Sequence, residues 1–414
     1  MTADAPRTLA PEASGVDPAP VSPARRRPAG QRTPSLARRV LVVVCWAVAA
    51  PLLGGVLVAL AAQYVDPRTA WWPQLFAVGL PYLAMATAVA ALAALGLRVK
   101  TLALTCLAVL ALVLVRAEPW ARLGAGGGAA EAAAFHLVSF NAPERLSPEA
   151  MQDSLARFTA QEAPDVLAMQ DAWVRGPIPS RNRGRWYAPQ VRGVLAGEQY
   201  EVLVPSLLPG VGGWKRDATG VPLLVREGGP RVMEQEAIVI SDPQDNEASQ
   251  AIRTEMEWDG RPFVLYNVHL RSFGDAKPWR NPAFRPLQPG TWRESLGGLG
   301  AIYRNRAVDV DRIVAAVERE TLPVLIVGDF NSTADNWAYR RLRQAGGVRR
   351  RDGFRAGGGA LWGRTYHAET LVVRIDHVLV DPALAVLSSR VRDVGYSDHR
   401  PVLVRLRWRD PAEE

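Results

Sequence analysis

Hydrophobicity changes character along the chain. Near the start, uncharged apolar stretches run over Val40–Ala62, Leu75–Leu97 and Thr101–Val115. At ~1.5 Å per residue the first two exceed the ~30 Å hydrocarbon core of a bilayer, so each predicts a spanning helix. The third is shorter and crosses only if the bilayer thins or Lys100 and Arg116 snorkel to its surfaces. Residues 38–117 therefore read as a membrane anchor of three transmembrane helices, at about 40–62, 75–97 and 101–116. A cleaved secretory signal does not fit, because the first stretch is too long, begins too late and is followed by a second.

Residues 1–37, rich in Pro, Ala and Arg with almost no large apolar side chain, predict a disordered basic tail. Residues 118–133 are rich in Gly and Ala and predict a flexible linker. From 134 to 410 short β-branched runs alternate with helical periodicity. Strands are predicted at Phe135–Phe140, Asp165–Met169, Val221–Val225, Ala237–Ile240, Pro262–His269, Val324–Val327, Ile375–Val380 and Pro401–Trp408. Helices are predicted at Pro148–Gln161, capped by Ser147, and at Ala307–Glu320. This mixture predicts a layered α/β (α+β) domain with its sheets in the middle. Residues 271–300, rich in Pro, Gly, Arg and Trp, predict a long irregular loop.

Charge changes this picture only when divided. Residues 1–129 hold 12 Lys and Arg against 5 Asp and Glu, whereas the remainder is nearly balanced at 37 against 36. The overall excess thus belongs to the anchor and tail, and gives no sign of a nucleic-acid groove in the domain. Arg38 and Arg39 abut the first span, and Arg98 and Lys100 sit between the second and third. The positive-inside rule then places those ends in the cytoplasm and the 134–410 domain outside it, on a multi-pass protein of the plasma membrane. Two Cys in 414 residues exclude a disulfide scaffold and a cysteine-ligated zinc or iron–sulfur site, and both fall inside predicted spans.

Candidate chemistry gathers at strand ends. Asn141 ends the first domain strand, and Gln170 and Asp171 the second. Asn267 and His269 lie two apart, on one face, at the end of VLYNVH. Asp329 and Asn331 follow LPVLIVG, Asp376 opens an apolar run, and Ser397, Asp398 and His399 precede the last strand. Carboxylates with amide oxygens suit a hard divalent ion, Mg²⁺ or Mn²⁺. A His with a separate Asp suits general-base activation of water. Together they suit hydrolysis of a phosphoester. His136, His377 and His367 read as structural or loop residues. Lys277, Trp279, Arg280, Arg285, Trp292, Arg293, Arg304 and Arg306 form a cationic, aromatic segment that either grips an anionic substrate or is solvated surface.

Asn141, QD at 170–171, NVH at 267–269, GDFN at 328–331, RID at 374–376 and SDH at 397–399 resemble the endonuclease/exonuclease/phosphatase superfamily, in family order across 134–409. The layout is similar to bacterial members that carry the domain behind N-terminal membrane spans. The resemblance implies a DNase I-like four-layer sandwich, two packed β-sheets flanked by helices. It implies His399 as general base oriented by Asp376, Asp329 near the attacking or leaving oxygen, and His269 neutralising the phosphate. It further implies substrate contacts from Asn331 and Asn267, and a metal held by Asp171, Asp398 and Asn141. The family usually has Glu at the position of Asp171, so here the carboxylate is withdrawn by roughly 1.5 Å.

The function that follows is a membrane-anchored, Mg²⁺-dependent phosphoesterase cleaving a phosphodiester or phosphomonoester. Its expected partners are the lipid bilayer and a phosphoester that is lipid-linked, small or nucleic acid, with no protein partner. An endo- or exonuclease is the alternative within this class, and a degenerate binding or scaffold domain the alternative outside it. Replacing Asp171 with Glu is expected to tighten Mg²⁺ or Mn²⁺ binding in a calorimetric titration; weaker binding removes Asp171 from the ligand set.

Overall fold

The computed structural model describes residues 35–118 and 134–410, apart from 145, 176–185, 198, 204–217, 242–247, 278–280, 360–362 and 369–370. The expected tail and linker lie almost wholly outside the described residues. Two compact units, Met1–Val44 and Cys45–Glu414, divide the chain. The described part of the first is the opening of the helix Leu36–Ala61, where the Arg38 backbone N–H donates to Ser35 Oγ. All that follows concerns the second.

Three helices precede the domain: Leu36–Ala61, Pro73–Gly96 and Lys100–Arg116. Two are long and apolar enough to cross a membrane, Leu36–Tyr64 and Pro73–Gly96. The third has 17 residues, at the lower limit of length for a crossing. Along Pro73–Gly96 the small residues Ala77, Ala84, Ala91 and Ala94 are buried, while Met85, Val89, Leu92 and Leu95 form an exposed apolar stripe. Small side chains let the third helix approach closely, packing Ala103, Cys106 and Val109.

Two six-stranded sheets form the domain. In spatial order the first contains Leu384–Val391, Val402–Trp408, Phe135–Asn141, Val166–Gln170, Leu223–Arg226 and Tyr200–Leu203. The second contains Arg351–Asp352, Asp376–Val380, Val324–Asp329, Arg261–His269, Gln250–Trp258 and Arg231–Ile238. Alternate residues of each central strand serve different cores. Phe135, Leu137, Leu325 and Val327 meet between the sheets. Val138 and Phe140 pack instead with Leu155 and Phe158 of the helix Pro148–Glu162, and Val324 and Ile326 with Val310 and Ile313 of the helix Pro289–Val317. Strands covered on both faces must be apolar throughout, which is why they read as continuous runs. The result is four layers, helix–sheet–sheet–helix, as the DNase I-like resemblance implies.

Several boundaries differ from the sequence reading. Residues 289–300 are the first turns of the long helix rather than loop. Its glycines obscure the periodicity, and at Gly300 the reason is tertiary: a Cβ would stand 2.8 Å from the Trp71 indole. The strand expected at Ala237–Ile240 lies earlier, at Arg231–Ile238. Gln250–Trp258, Tyr200–Leu203 and Leu384–Val391 are further strands, whose half-exposed faces carry no uniform apolar signal.

The helices and the domain share a polar interface. Gln74, 1% exposed, donates through Nε2 to the carbonyls of Ala62 (2.9 Å) and Val65 (3.0 Å). Its Oε1 accepts from Asn336 Nδ2 (3.1 Å) and the Trp337 backbone N–H (3.0 Å). Arg116 Nη2 donates to the Ala334 carbonyl (2.6 Å), Arg68 pairs with Asp311 (2.8 Å), and Glu118 pairs with Arg343 (3.1 Å). Thr333–Trp337 directly continues the GDFN turn, so one loop joins that turn to the N-terminal helices.

Gly328 precedes that turn with φ +132°, and a Cβ there would lie 1.8 Å from the Val268 carbonyl oxygen of the neighbouring strand. Neither strand can retreat, because each is packed on both faces. Gly328→Ala is expected to lower stability by roughly 2–4 kcal/mol in a denaturant titration; an unchanged midpoint would show that the strands can separate locally.

Candidate functional site

The strand ends converge. Asp376, at the start of Asp376–Val380, pairs in register with Asp329, at the end of Val324–Asp329. Both carboxylates are 1% exposed. His399 is held over them by the turn Ser397–His399, whose Ser397 Oγ donates to the Asn141 carbonyl (3.0 Å) and accepts from the His399 backbone N–H (2.9 Å). His399 Nδ1 lies 3.0 Å from Asp376 Oδ2, and its Nε2 lies 3.8 Å from Asp329 Oδ2. A carboxylate at Nδ1 keeps a proton there, so in the neutral ring Nε2 is the acceptor. Burial acts against the charged imidazole, but Asp376, with Asp329 and Asp398, outweighs it and lifts the pKa to about 9. Asp329 moves upward as well, through burial and the neighbouring Asp376 charge.

Asp329 also organises the amides. It accepts from Asn141 Nδ2 (2.9 Å), from the Asn331 backbone N–H (2.7 Å) and from Asn331 Nδ2 (3.3 Å). Asn331 adopts φ +45°, which Asn tolerates, and its Nδ2 also donates to the Leu270 carbonyl (2.8 Å). His269 bridges outward, with Nε2 at 3.7 Å from Asp329 Oδ2 and Nδ1 at 3.4 Å from Asp171 Oδ1.

Metal-ligating atoms of Asp329, Asp376 and His399 all lie within 4.8 Å of one another. Two buried carboxylates so placed repel unless a cation or proton intervenes. The buried Asn141 Oδ1, whose amide Nδ2 donates to Asp329, has no hydrogen-bond partner among the described residues and so is an acceptor left for a ligand. This oxygen-rich set fits a hard divalent ion. Of the expected ligands Asn141, Asp171 and Asp398, Asn141 joins the group directly. Asp171, 39% exposed at its side chain, stands beyond His269, and Asp398 is half-buried next to His399.

Other expected residues are placed differently. Asn267 is fully buried: Nδ2 donates to the Met169 (2.9 Å), Val221 (3.1 Å) and Pro222 (3.2 Å) carbonyls, and Oδ1 accepts from Gln170 Nε2 (2.7 Å). It ties the sheets together beneath the site, so the expected substrate contact becomes a positioning role. Arg306 is equally buried, donating to the carbonyls of Arg271 (2.6 Å) and Asn331 (2.7 Å). It props the GDFN turn and is unavailable to a substrate; burial lowers its pKa to about 10. Lys277 is buried near Tyr366, and Trp292, Arg293 and Arg304 are exposed, while Trp279 and Arg280 lie outside the described residues. His136 Nδ1 lies 3.0 Å from the Glu162 carbonyl oxygen. The side chain of His367 is outside the description.

Sequence reasoning missed a buried network beneath Asp376. Arg374 forks onto both oxygens of Asp352 (2.5 and 3.1 Å), and Tyr339 donates to Asp352 Oδ2 (2.7 Å). Thr365 Oγ1 accepts from the Ile375 and Asp376 backbone N–H groups (3.0 and 3.1 Å). Arg374 was visible in its motif, but Asp352 and Thr365 carry no local signal.

Comparison with known proteins agrees in outline. The profile of the Endonuclease/Exonuclease/phosphatase family matches residues 138–399. No curated protein matches. A solved endonuclease/exonuclease/phosphatase from Bacteroides vulgatus is similar at 17% identity, covering 67% of this chain and 99% of its own, with a TM-score of 0.47. A Bacteroides thetaiotaomicron mannosyl-6-phosphatase is similar at 16%, covering 66% and 100%, with a TM-score of 0.44. The human Nocturnin catalytic domain is similar at 14%, covering 67% and 95%, with a TM-score of 0.45.

His377 faces away from Asp376, accepting at Nδ1 from Arg374 (3.0 Å) and donating from Nε2 to the Ser332 carbonyl (2.8 Å). Burial, reinforced by Arg374, pushes its pKa down to about 3. The unfolded chain therefore binds a proton below about pH 6.5 that the fold excludes. Stability is expected to fall by roughly 3–5 kcal/mol as pH drops from 6.5 toward 3 on account of this residue alone. Thermal unfolding across that window should show a shallower slope for His377→Asn; equal slopes would place the imidazole in solvent contact.

Proposed function

Since the chain belongs to the endonuclease/exonuclease/phosphatase family, we propose that it is a membrane-anchored, divalent-metal-dependent phosphoesterase hydrolysing a phosphodiester or phosphomonoester. The observation that carries this reading is the buried His399–Asp376 contact of 3.0 Å with Asp329 across Nε2. His399 Nε2 takes a proton from the attacking water, and Asp376 stabilises the imidazolium so formed. The water oxygen forms a new bond to phosphorus as the bond to the leaving oxygen breaks on the opposite side; the leaving oxygen takes a proton from solvent, and the imidazolium releases its own to solvent. His269 offers positive charge or a hydrogen bond to a phosphoryl oxygen, and Asn331 does so by exchanging its longer bond to Asp329. Asn141 and Asp329, with Asp171 and Asp398 nearby, would hold Mg²⁺ or Mn²⁺. When bound, the cation neutralises charge on the phosphoryl oxygens.

Anchoring is supported by the arrangement of contacts. Arg68, Trp71, Gln74, Arg116 and Glu118 all meet the domain from one end of the helices, opposite the turn that carries Arg98 and Lys100. Positive-inside topology then puts the domain outside the cytoplasm, in a bacterial plasma membrane. Tyr366 supports a substrate presented at the bilayer surface. Its ring lies 4.8 Å from that of His399, and it shares an apolar cluster with Val373 and Ile375 against which Val78 and Tyr82 of Pro73–Gly96 pack. One side chain thus separates the candidate base from an anchoring helix, favouring a lipid-linked phosphoester over a long polyanion.

The full chain in proteoliposomes with Mg²⁺ is expected to release phosphate or headgroup from lipid substrates, and His399→Ala to slow this by about 10²–10⁴-fold. Full activity in His399→Ala would sink the mechanism. Plasmid nicked faster than lipid is cleaved, and only with His399 present, would transfer the activity to nucleic acid.

A further inference from the structure

A second cationic site lies where the helices meet the domain. A cavity of about 190 Å³ is lined by Gln63, Tyr64, Arg116 and Glu118 from the helical region, and by Tyr339, Arg340, Arg343, Gln344 and Arg349 from the domain. Four guanidinium groups thus face one carboxylate. Glu118 pairs with Arg343 (3.1 Å) and Arg349 (3.0 Å), and Arg116 is met from outside the cavity by Asp335 (3.3 Å). Arg340 lies 4.6 Å over the Tyr64 ring and forms no ion pair among the described residues. Even with both carboxylates counted, two positive charges remain uncompensated in a concave, partly enclosed space.

We propose that this cavity binds a phosphate-bearing anion, the headgroup of an anionic phospholipid in the leaflet on which the domain sits. Guanidinium forks match phosphate oxygens bidentately, and several on one wall select for charge rather than for a neutral or zwitterionic group. The level of the cavity points to lipid as the source. Gln63 and Tyr64 immediately follow the apolar helix Leu36–Ala61, and Arg116 and Glu118 end the apolar helix Lys100–Arg116. The arginines therefore stand at the depth where hydrocarbon gives way to headgroups, where basic residues gain most from anionic lipid. Tyr64, 66% exposed at the same level, suits that interface. This inference rests on the anchoring reading but on none of the catalytic residues.

The test uses the full chain in a neutral detergent, following thermal unfolding while titrating phosphatidylglycerol, phosphatidylcholine or inorganic phosphate. Arg340→Gln/Arg349→Gln is the variant of choice, because Arg349 is 66% exposed and Arg340 half-buried, so the buried ties of Gln74, Arg116 and Arg343 between helices and domain stay in place. Phosphatidylglycerol is expected to raise the midpoint, phosphatidylcholine to leave it unchanged, and the double variant to need about 10–30-fold more phosphatidylglycerol for the same rise. Inorganic phosphate acting as strongly as phosphatidylglycerol, with the same loss in the variant, keeps the site and makes its ligand free phosphate. Equal responses of wild type and variant, equal effects of the two lipids, or no response to either anion would overturn the proposal. The readout is independent of turnover, so its failure leaves the hydrolase reading standing, and loss of activity in His399→Ala does not bear on it.

Discussion

Two carboxylates, Asp329 and Asp376, are paired across adjacent strands of a closed sandwich and shut away from water, and the chemistry of the domain follows from that constraint. Like charges in a low-dielectric interior are costly, and the surroundings offset the cost by specific means. Asp376 is met by the His399 imidazole, and Asp329 by the amides of Asn141 and Asn331. What remains is an acidic, oxygen-lined centre that still favours a cation. The same imbalance that would destabilise an ordinary core makes this one suited to hold a divalent ion and a phosphoryl group together.

Maintaining such a centre requires a rigid frame, and the frame is built from buried polar ties rather than from packing alone. Asn267 joins the strand end at Met169 to the turn at Val221–Pro222, and Arg306 braces the turn after Asp329 by capturing its carbonyls. Arg374, two residues before Asp376, forms a fully buried ion pair with Asp352. Removing one partner of such a pair leaves an uncompensated buried charge, so neither can be replaced alone without a large loss of stability.

The frame is continuous with the helical region. The residues after Asn331 become Thr333–Trp337, which engages Gln74 through the Asn336 amide and the Trp337 backbone N–H and the Ala77 carbonyl through the Thr333 hydroxyl. Asn331 and Asn336 are five positions apart, so one short segment joins the turn that shapes the candidate site to the loop that docks on the N-terminal helices.

Much of this was legible in the residues themselves. Period-two alternation and uncharged runs are local properties, so the apolar helices, most central strands and the strand-end placement of Asn141, Asp329, Asp376 and His399 could be read directly. The resemblance carried by GDFN and SDH ordered those residues into a mechanism, and the His399–Asp376 contact is where that ordering meets geometry. Other features belong to the tertiary structure alone. The partnership of Arg374 with Asp352, the burial of Arg306, the commitment of Asn267 to main-chain carbonyls and the extension of a helix back to Pro289 depend on what lies opposite each residue in space. Hydrophobic periodicity records which face of an element is covered; it does not record which charge from a distant segment covers it. Sequence therefore determined the elements and the chemical inventory, and only sheet-on-sheet packing, which fixes distances between residues far apart in the chain, decided which groups are paired and which remain to act.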